Sequence, residues 1–188
     1  MTKSCCIALI IVVVGSSLTF ADIVQFDLAG NAGAGLLPGN ENPPVTSGAT
    51  GSEIGSGIVF DTDTNTLSLE FEFQGLTGGL IDAAGGIHIH DAGPVNPLDN
   101  NGGIVFLLNE NEANVAIGST AGSIDLDLVL TDAQESALFA DQYYINIHSA
   151  GFGSGELRGN LVQAIPEPST GLALLVAISV AIRRRSRS

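Results

Sequence analysis

The chain has 188 residues, 20 of them acidic and six basic, with two cysteines and no tryptophan. Residues 22–164 hold 19 of the acids and a single basic residue, Arg158, which leaves that stretch with a formal charge of −18. Such a surface repels nucleic acid and anionic headgroups and has no basic patch to read either, so nucleic-acid binding is excluded as a function class.

Residues 1–21 carry Lys3, an apolar core from Ile7 to Val14 and a short-residue end, the order of a secretory signal peptide with cleavage after Ala21. Both cysteines, Cys5 and Cys6, lie inside it, so the remaining chain has neither a disulfide framework nor a thiol nucleophile. Residues 22–164 have the length of one domain.

Within that domain "TLSLEFEFQ" (66–74) alternates Leu67, Leu69, Phe71 and Phe73 with Ser68, Glu70, Glu72 and Gln74, the period of a half-buried strand. "IDLDL" alternates in the same way, and "GIVFLL" reads as a shorter, more buried strand. Turn clusters rich in Gly, Pro, Asn and Asp separate these runs. Only "TDAQESALFA" predicts a helix, with Thr131 as N-cap and Gln134 completing a capping box. The fold class expected is all-β: an antiparallel β-sandwich or barrel-like sheet with one short helix, flanked by the signal peptide and a C-terminal membrane helix.

The chemistry-bearing residues gather in two places. In "GIHIHD" Ile87 and Ile89 face one way and His88 and His90 the other; in "YYINIH" Tyr144, Asn146 and His148 lie opposite Tyr143, Ile145 and Ile147. "GELRGNL" sets Glu156, Arg158 and Asn160 against Leu157 and Leu161. If "SAGFGSG" closes a hairpin that pairs His148 with Glu156, Asn146 falls opposite Arg158 and Tyr144 opposite Asn160. His88, His90, His148, Glu156 and Arg158 then form one polar cluster. The simpler expectation is a hydrogen-bonded ladder with Arg158 forked onto a carboxylate. The sharper one is a single zinc or copper site built on His88, His90 and His148, with a fourth position open, as a metal-binding protein or metalloenzyme. The HxH spacing resembles that of copper-zinc superoxide dismutase, but three histidines are too few for a paired site. Calcium has weaker candidates: Asp61, Asp63, Asn65 and Glu72 at EF-hand-like offsets, with Thr66 where glycine is needed, and the loop carrying Asp91, Asn96 and Asp99. No nucleophile elbow or phosphate-binding loop is present, so no catalytic residue is assigned and no cofactor is required.

Taken together, "ENPPVTSGATG" (41–51), "GGIHIHDAGP" and "YYINIHSAGFGSGELRGNL" resemble the CHRD domain, over nearly all of residues 25–164. The resemblance puts Glu41, Pro43, Pro44, His88, His90, His148, Gly155, Glu156, Arg158 and Gly159 at motif positions. The chain departs from the pattern at Asp91, where the family usually has glycine, and at Asn42, where it has valine. The resemblance implies an extracellular β domain that binds rather than catalyses.

Residues 165–188 close the chain with Pro166, Glu167 and Pro168, an apolar run from Gly171 to Ile182 and four arginines. Twelve helical residues rise about 18 Å, short of a bilayer core, while the arginines orient the segment with the domain outside. This tail resembles the PEP-CTERM sorting signal, which implies an exosortase-type processing enzyme as partner and transient inner-membrane insertion. The expected destination is the cell envelope, the cell surface or the extracellular space, with matrix protein or polysaccharide as further candidate partners.

Overall fold

A computed structural model of the protein describes residues 22–82, 86–109 and 115–165. The expected signal peptide and the expected sorting motif with its membrane segment fall outside the described residues. Among the described residues no helix is long and apolar enough to cross a membrane.

The chain order is β1 (Ile23–Gly30), β2 (Gly33–Ala34), a short 3-10 turn (Pro38–Asn40), β3 (Thr50–Asp61), β4 (Thr66–Gln74), β5 (Ile87–Asp91), β6 (Gly103–Leu107), β7 (Ala121–Val129), α1 (Asp132–Phe139), β8 (Tyr143–Ile147) and β9 (Leu157–Gln163). All pairings are antiparallel, and the strands run β6-β5-β8-β9-β1-β3-β4-β7 across one sheet, with β2 added to β1. The sandwich-or-barrel expectation therefore resolves to a single sheet curled into half a barrel.

Curling lets one sheet enclose a core on one face. Phe26 and Leu28 of β1, Ile58 and Phe60 of β3, Leu67, Leu69 and Phe71 of β4, Ile87 and Ile89 of β5, Ile145 and Ile147 of β8 and Leu157 and Leu161 of β9 are all fully buried. Helix α1 packs on this face, with the Phe139 ring 5.8 Å from Phe26 and 5.7 Å from Phe60. Its start carries the expected capping box: the Gln134 N–H donates to Thr131 Oγ1, and the Thr131 N–H donates to Gln134 Oε1 at 2.9 Å.

Two strand expectations separate on sheet position. "TLSLEFEFQ" forms β4 with alternating burial, because β3 and β7 flank it on both sides. "GIVFLL" forms β6 but is not a buried strand. It is an edge, and Ile104 and Leu107 are 45% and 39% exposed. An apolar run records what a strand is made of, not how many neighbours it has.

The EF-hand-like reading of "DTDTN" does not survive the topology. The segment is the β3–β4 hairpin turn, and Asp61 Oδ1 caps it by accepting the N–H groups of Asp63 (2.8 Å) and Thr64 (3.3 Å). Asn65 takes a φ of 54°, a left-handed conformation that asparagine tolerates. Glu72 pairs with Ser52 and Ser123, six residues along β4 from Thr66 and so about 20 Å from the turn. In the second calcium candidate the carboxylates of Asp91 and Asp99 also have protein partners, the nearby Gly93 N–H (2.8 Å) for Asp91 and the distant Asn31 amide for Asp99.

Candidate functional site: three histidines on a buried polar face

Strands β5, β8 and β9 lie side by side, and their second face is polar. The β8–β9 register is the one read from the sequence, Asn146 opposite Arg158 and Tyr144 opposite Asn160, and β5 adds His90 opposite Tyr144 and His88 opposite Asn146. This face is not solvated. The 38–45 segment and the 92–102 loop fold over it, so that Glu156, Arg158 and Asn160 are fully buried and His88, Tyr144, Asn146 and Glu41 nearly so. The protein has a polar second core.

Arg158 is the largest fully buried side chain among the described residues. Its Nη2 donates to the carbonyls of Pro97 (2.9 Å) and Asn100 (3.0 Å), its Nη1 to Asn101 Oδ1 (3.1 Å) and its Nε to Asn160 Oδ1 (3.2 Å). Among the described residues Arg158 thus forks onto carbonyl and amide oxygens rather than onto the expected carboxylate. Glu156 instead accepts the Thr77 N–H (2.9 Å) and the Thr77 hydroxyl (2.7 Å). Burial pushes the Glu156 carboxyl up, but the hydroxyls of Ser149, Thr77 and Ser47 and the Thr77 N–H together hold it below its ordinary value. The five-residue cluster therefore divides. Arg158 ties the 92–102 loop to β9, and Glu156 ties the segment after β4 to the turn between β8 and β9.

The histidines come together. One ring nitrogen from each of His88, His90 and His148 lies within 4.8 Å of the other two, and the His88 and His148 rings are 4.8 Å apart at their centres. His90 Nδ1 lies 2.9 Å from the Gly102 carbonyl and His148 Nδ1 3.0 Å from the Gly153 carbonyl. A carbonyl only accepts, so each Nδ1 carries the hydrogen and each Nε2 holds a lone pair. Those two Nε2 atoms are buried and have no hydrogen-bond partner among the described residues. Burial also lowers the pKa of both rings, against a smaller upward effect of the Gly102 and Gly153 carbonyls, and so favours the neutral, ligating form.

This is the arrangement a metal-ligating histidine takes, one ring nitrogen anchored to the backbone and the other presented bare. A tetrahedral ion at about 2.0–2.1 Å from each nitrogen requires the donors to close to about 3.4 Å, an inward shift of roughly an ångström. A hydrogen-bonded ladder would satisfy the ring nitrogens through neighbours, and the Nε2 atoms of His90 and His148 have no such neighbour among the described residues. Soft, imidazole-preferring zinc or copper suits this donor set; calcium, which takes oxygen ligands, does not.

Beside His90 is a cavity of about 340 Å³ whose walls include Glu41, His90, Asn101, Tyr144, Asn146 and Gly155. Tyr144 stacks on His90 with the rings 4.9 Å apart and 11° from parallel, and the Arg158 guanidinium lies 3.7 Å from the Tyr144 ring centre. Glu41 is its one carboxylate wall. Burial, opposed by the Arg158 charge and by hydrogen bonds from Asn146 and the Asn42 backbone, pushes the Glu41 carboxyl up to about 7. A larger depression of about 500 Å³ runs along β3, β4 and β7, with Glu72 its one titratable side chain.

Sequence reasoning placed Glu41 at a motif position without giving it a role, and passed over Asn40 entirely. Asn40 is buried; its Oδ1 accepts the Ala32 N–H (2.8 Å), and its Nδ2 lies 3.2 Å from each of the carbonyls of Gly33, Gly35 and Arg158. A signal was present in "GNENPP", since an asparagine inside a Gly/Pro turn segment is a common backbone-bonding residue.

Comparison with known protein families matches residues 33–161 to the CHRD domain. The chain belongs to the CHRD family. No curated protein and no solved structure matches it. The matched stretch begins after β1, yet in this CHRD protein β1 lies between β9 and β3 in the middle of the sheet, so the folded unit includes Ile23–Gly30. CHRD domains occur in secreted or extracellular proteins and are not a known enzyme family.

Proposed function

We propose that this protein is an exported, non-catalytic CHRD binding module that holds one zinc or copper ion through His88, His90 and His148. The observation that supports this most directly is the pair of buried Nε2 lone pairs on His90 and His148, each ring anchored through Nδ1 on a backbone carbonyl and both converging with His88. Leaving buried acceptors without partners costs stability, and a bound cation removes that cost. The acidic surface, with a formal charge of −18 over residues 22–164, adds attraction for cations and basic partners.

The leader and tail extend this to a route. The chain crosses the inner membrane, the segment after Pro166, Glu167 and Pro168 is removed by an exosortase-type enzyme, and the domain is delivered to the cell envelope or extracellular matrix, where matrix protein or polysaccharide is its neighbour. Intact mass of the exported protein tests this: Arg183 to Ser188 still attached at the final location overturns it.

Metal analysis and calorimetric titration of tag-free protein with zinc and with copper test the site. One ion per chain is expected, and its uptake is lost in His148→Ala while the variant stays folded. Absence of uptake of either ion by folded protein overturns the reading.

A further inference from the structure

The cavity beside His90 holds a second unsatisfied pair. Glu41 Oε1 and Asn146 Oδ1 are both buried acceptors without a hydrogen-bond partner among the described residues. They also face one spot: Asn146 Oδ1 lies 2.5 Å and Glu41 Oε1 2.7 Å from the point above Gly155 that a Cβ would occupy, which puts them no more than about 5 Å apart. The other halves of the two groups already meet, with Asn146 Nδ2 donating to Glu41 Oε2 at 3.4 Å.

A carboxylate offers two acceptors, and a primary amide one donor face and one acceptor. When the two groups meet edge to edge, one contact is N–H to O and the other is O to O. Turning the amide over exchanges the atoms but leaves one O-to-O contact. Only a hydrogen on the carboxyl converts that contact into a bond.

We infer that Glu41 and Asn146 form a proton-binding site, sharing one proton in a two-bond acid–amide ring that holds Glu41 as a neutral carboxylic acid in the folded protein. The proton sits on Glu41 Oε1 and is donated to Asn146 Oδ1, while Asn146 Nδ2 donates to Glu41 Oε2. Gly155 makes the ring possible, because its φ of 130° and lack of a side chain let both groups pack against its backbone. The charged and titratable groups around the ring are Arg158 from β9, Tyr144 from β8 and His90 from β5, with Asp99 acting on Arg158 from the covering loop. Arg158 favours the ionised carboxyl, and burial outweighs it. The inference concerns the metal-free protein, in which the measurements below are made: neither group is one of the three histidines, but Asn146 lies two residues from His148, and a cation bound there would favour the ionised carboxyl.

The site couples a proton to closure of the 38–45 segment over the polar face. Linkage sets the sign. The folded state keeps a proton that the unfolded chain releases near 4.5, so the stabilising effect of this group is complete below that value and is lost as pH rises through about 7.

Carbon-13 NMR of glutamate-labelled protein across pH 4 to 9 tests the inference. One carboxyl carbon is expected to titrate near 7, and its signal to vanish in Glu41→Gln. In that variant the new amide supplies the N–H that the proton supplied, so the ring persists without titrating. The urea midpoint of wild type is accordingly expected to fall between pH 6 and 8.5 by clearly more than that of Glu41→Gln. If every glutamate carbon titrates below about 5.5, within the ordinary carboxyl range, the inference is overturned. Parallel pH profiles of the two proteins overturn it equally. Metal uptake by Glu41→Gln is expected to match wild type, so failure here is distinguishable from failure of the histidine site.

Discussion

The guanidinium of Arg158 lies 3.7 Å from the ring centre of Tyr144, and the same ring lies 4.9 Å from that of His90. Strand order places Tyr144 between the other two, because β8 runs between β5 and β9. The stack joins the arginine that holds the covering loop to a histidine of the candidate metal centre. Planarity is what it needs, and that requirement separates arginine from lysine.

Arg158→Lys is expected to destabilise the protein by about 3 kcal/mol or more, since a single ammonium cannot reach Pro97, Asn100, Asn101 and Asn160 together and each buried acceptor left bare costs about 1–3 kcal/mol. Urea unfolding checks the size, and hydrogen exchange should show faster opening in the 97–101 loop. A loss below about 1 kcal/mol, the range of an exposed charge, contradicts the buried role of Arg158.

Arg158→Ala and Glu156→Gln are expected to act additively, with an interaction energy below about 0.5 kcal/mol, because the two side chains bond to separate segments. A double-mutant cycle on unfolding free energies measures the coupling. A value of about 2 kcal/mol or more would restore a direct pair between them.

Asn40→Asp is expected to cost at least as much stability as Asn40→Ala. The substitution turns the donor that faces the carbonyls of Gly33, Gly35 and Arg158 into a fourth acceptor, whereas alanine only leaves them bare. Each should lose about 2–4 kcal/mol in denaturant unfolding. Asn40→Asp matching wild type would show that Asn40 Nδ2 does not hold these carbonyls.

Metal-free protein is expected to lose stability as pH falls below 6.5, the ordinary histidine value. Burial holds His90 and His148 below that value in the fold, so the unfolded chain takes up protons first. Their contribution is present above 6.5 and disappears as pH drops through the folded values. The same protons displace a metal, so zinc affinity should fall in the same direction. Thermal melts of wild type and of His90→Gln with His148→Gln, from pH 5 to 8, should show a flatter acid limb in the double variant.

Much of the fold was legible in local pattern. The alternation in "TLSLEFEFQ", the capping box at Thr131 and the turn at "DTDTN" each arise from the period of a strand or the hydrogen bonding of a few adjacent residues. The β8–β9 register was legible for the same reason: if "SAGFGSG" closes the hairpin with His148 opposite Glu156, Asn146 meets Arg158, as it does. That three histidines share a face with these residues came from the same parity.

Tertiary structure alone decided what each polar group meets. Which strand is an edge depends on the whole sheet order, so the apolar "GIVFLL" ended exposed. Parity puts Glu156 and Arg158 on one side of β9, but their partners come from distant loops, Thr77 for one and Pro97 to Asn101 for the other. Glu41 and Asn146, 105 residues apart, meet only when the 38–45 segment closes over the sheet. Alternation along a strand sets the direction of a side chain. The charge state and bonding of a buried group are set by whatever folds down on top of it.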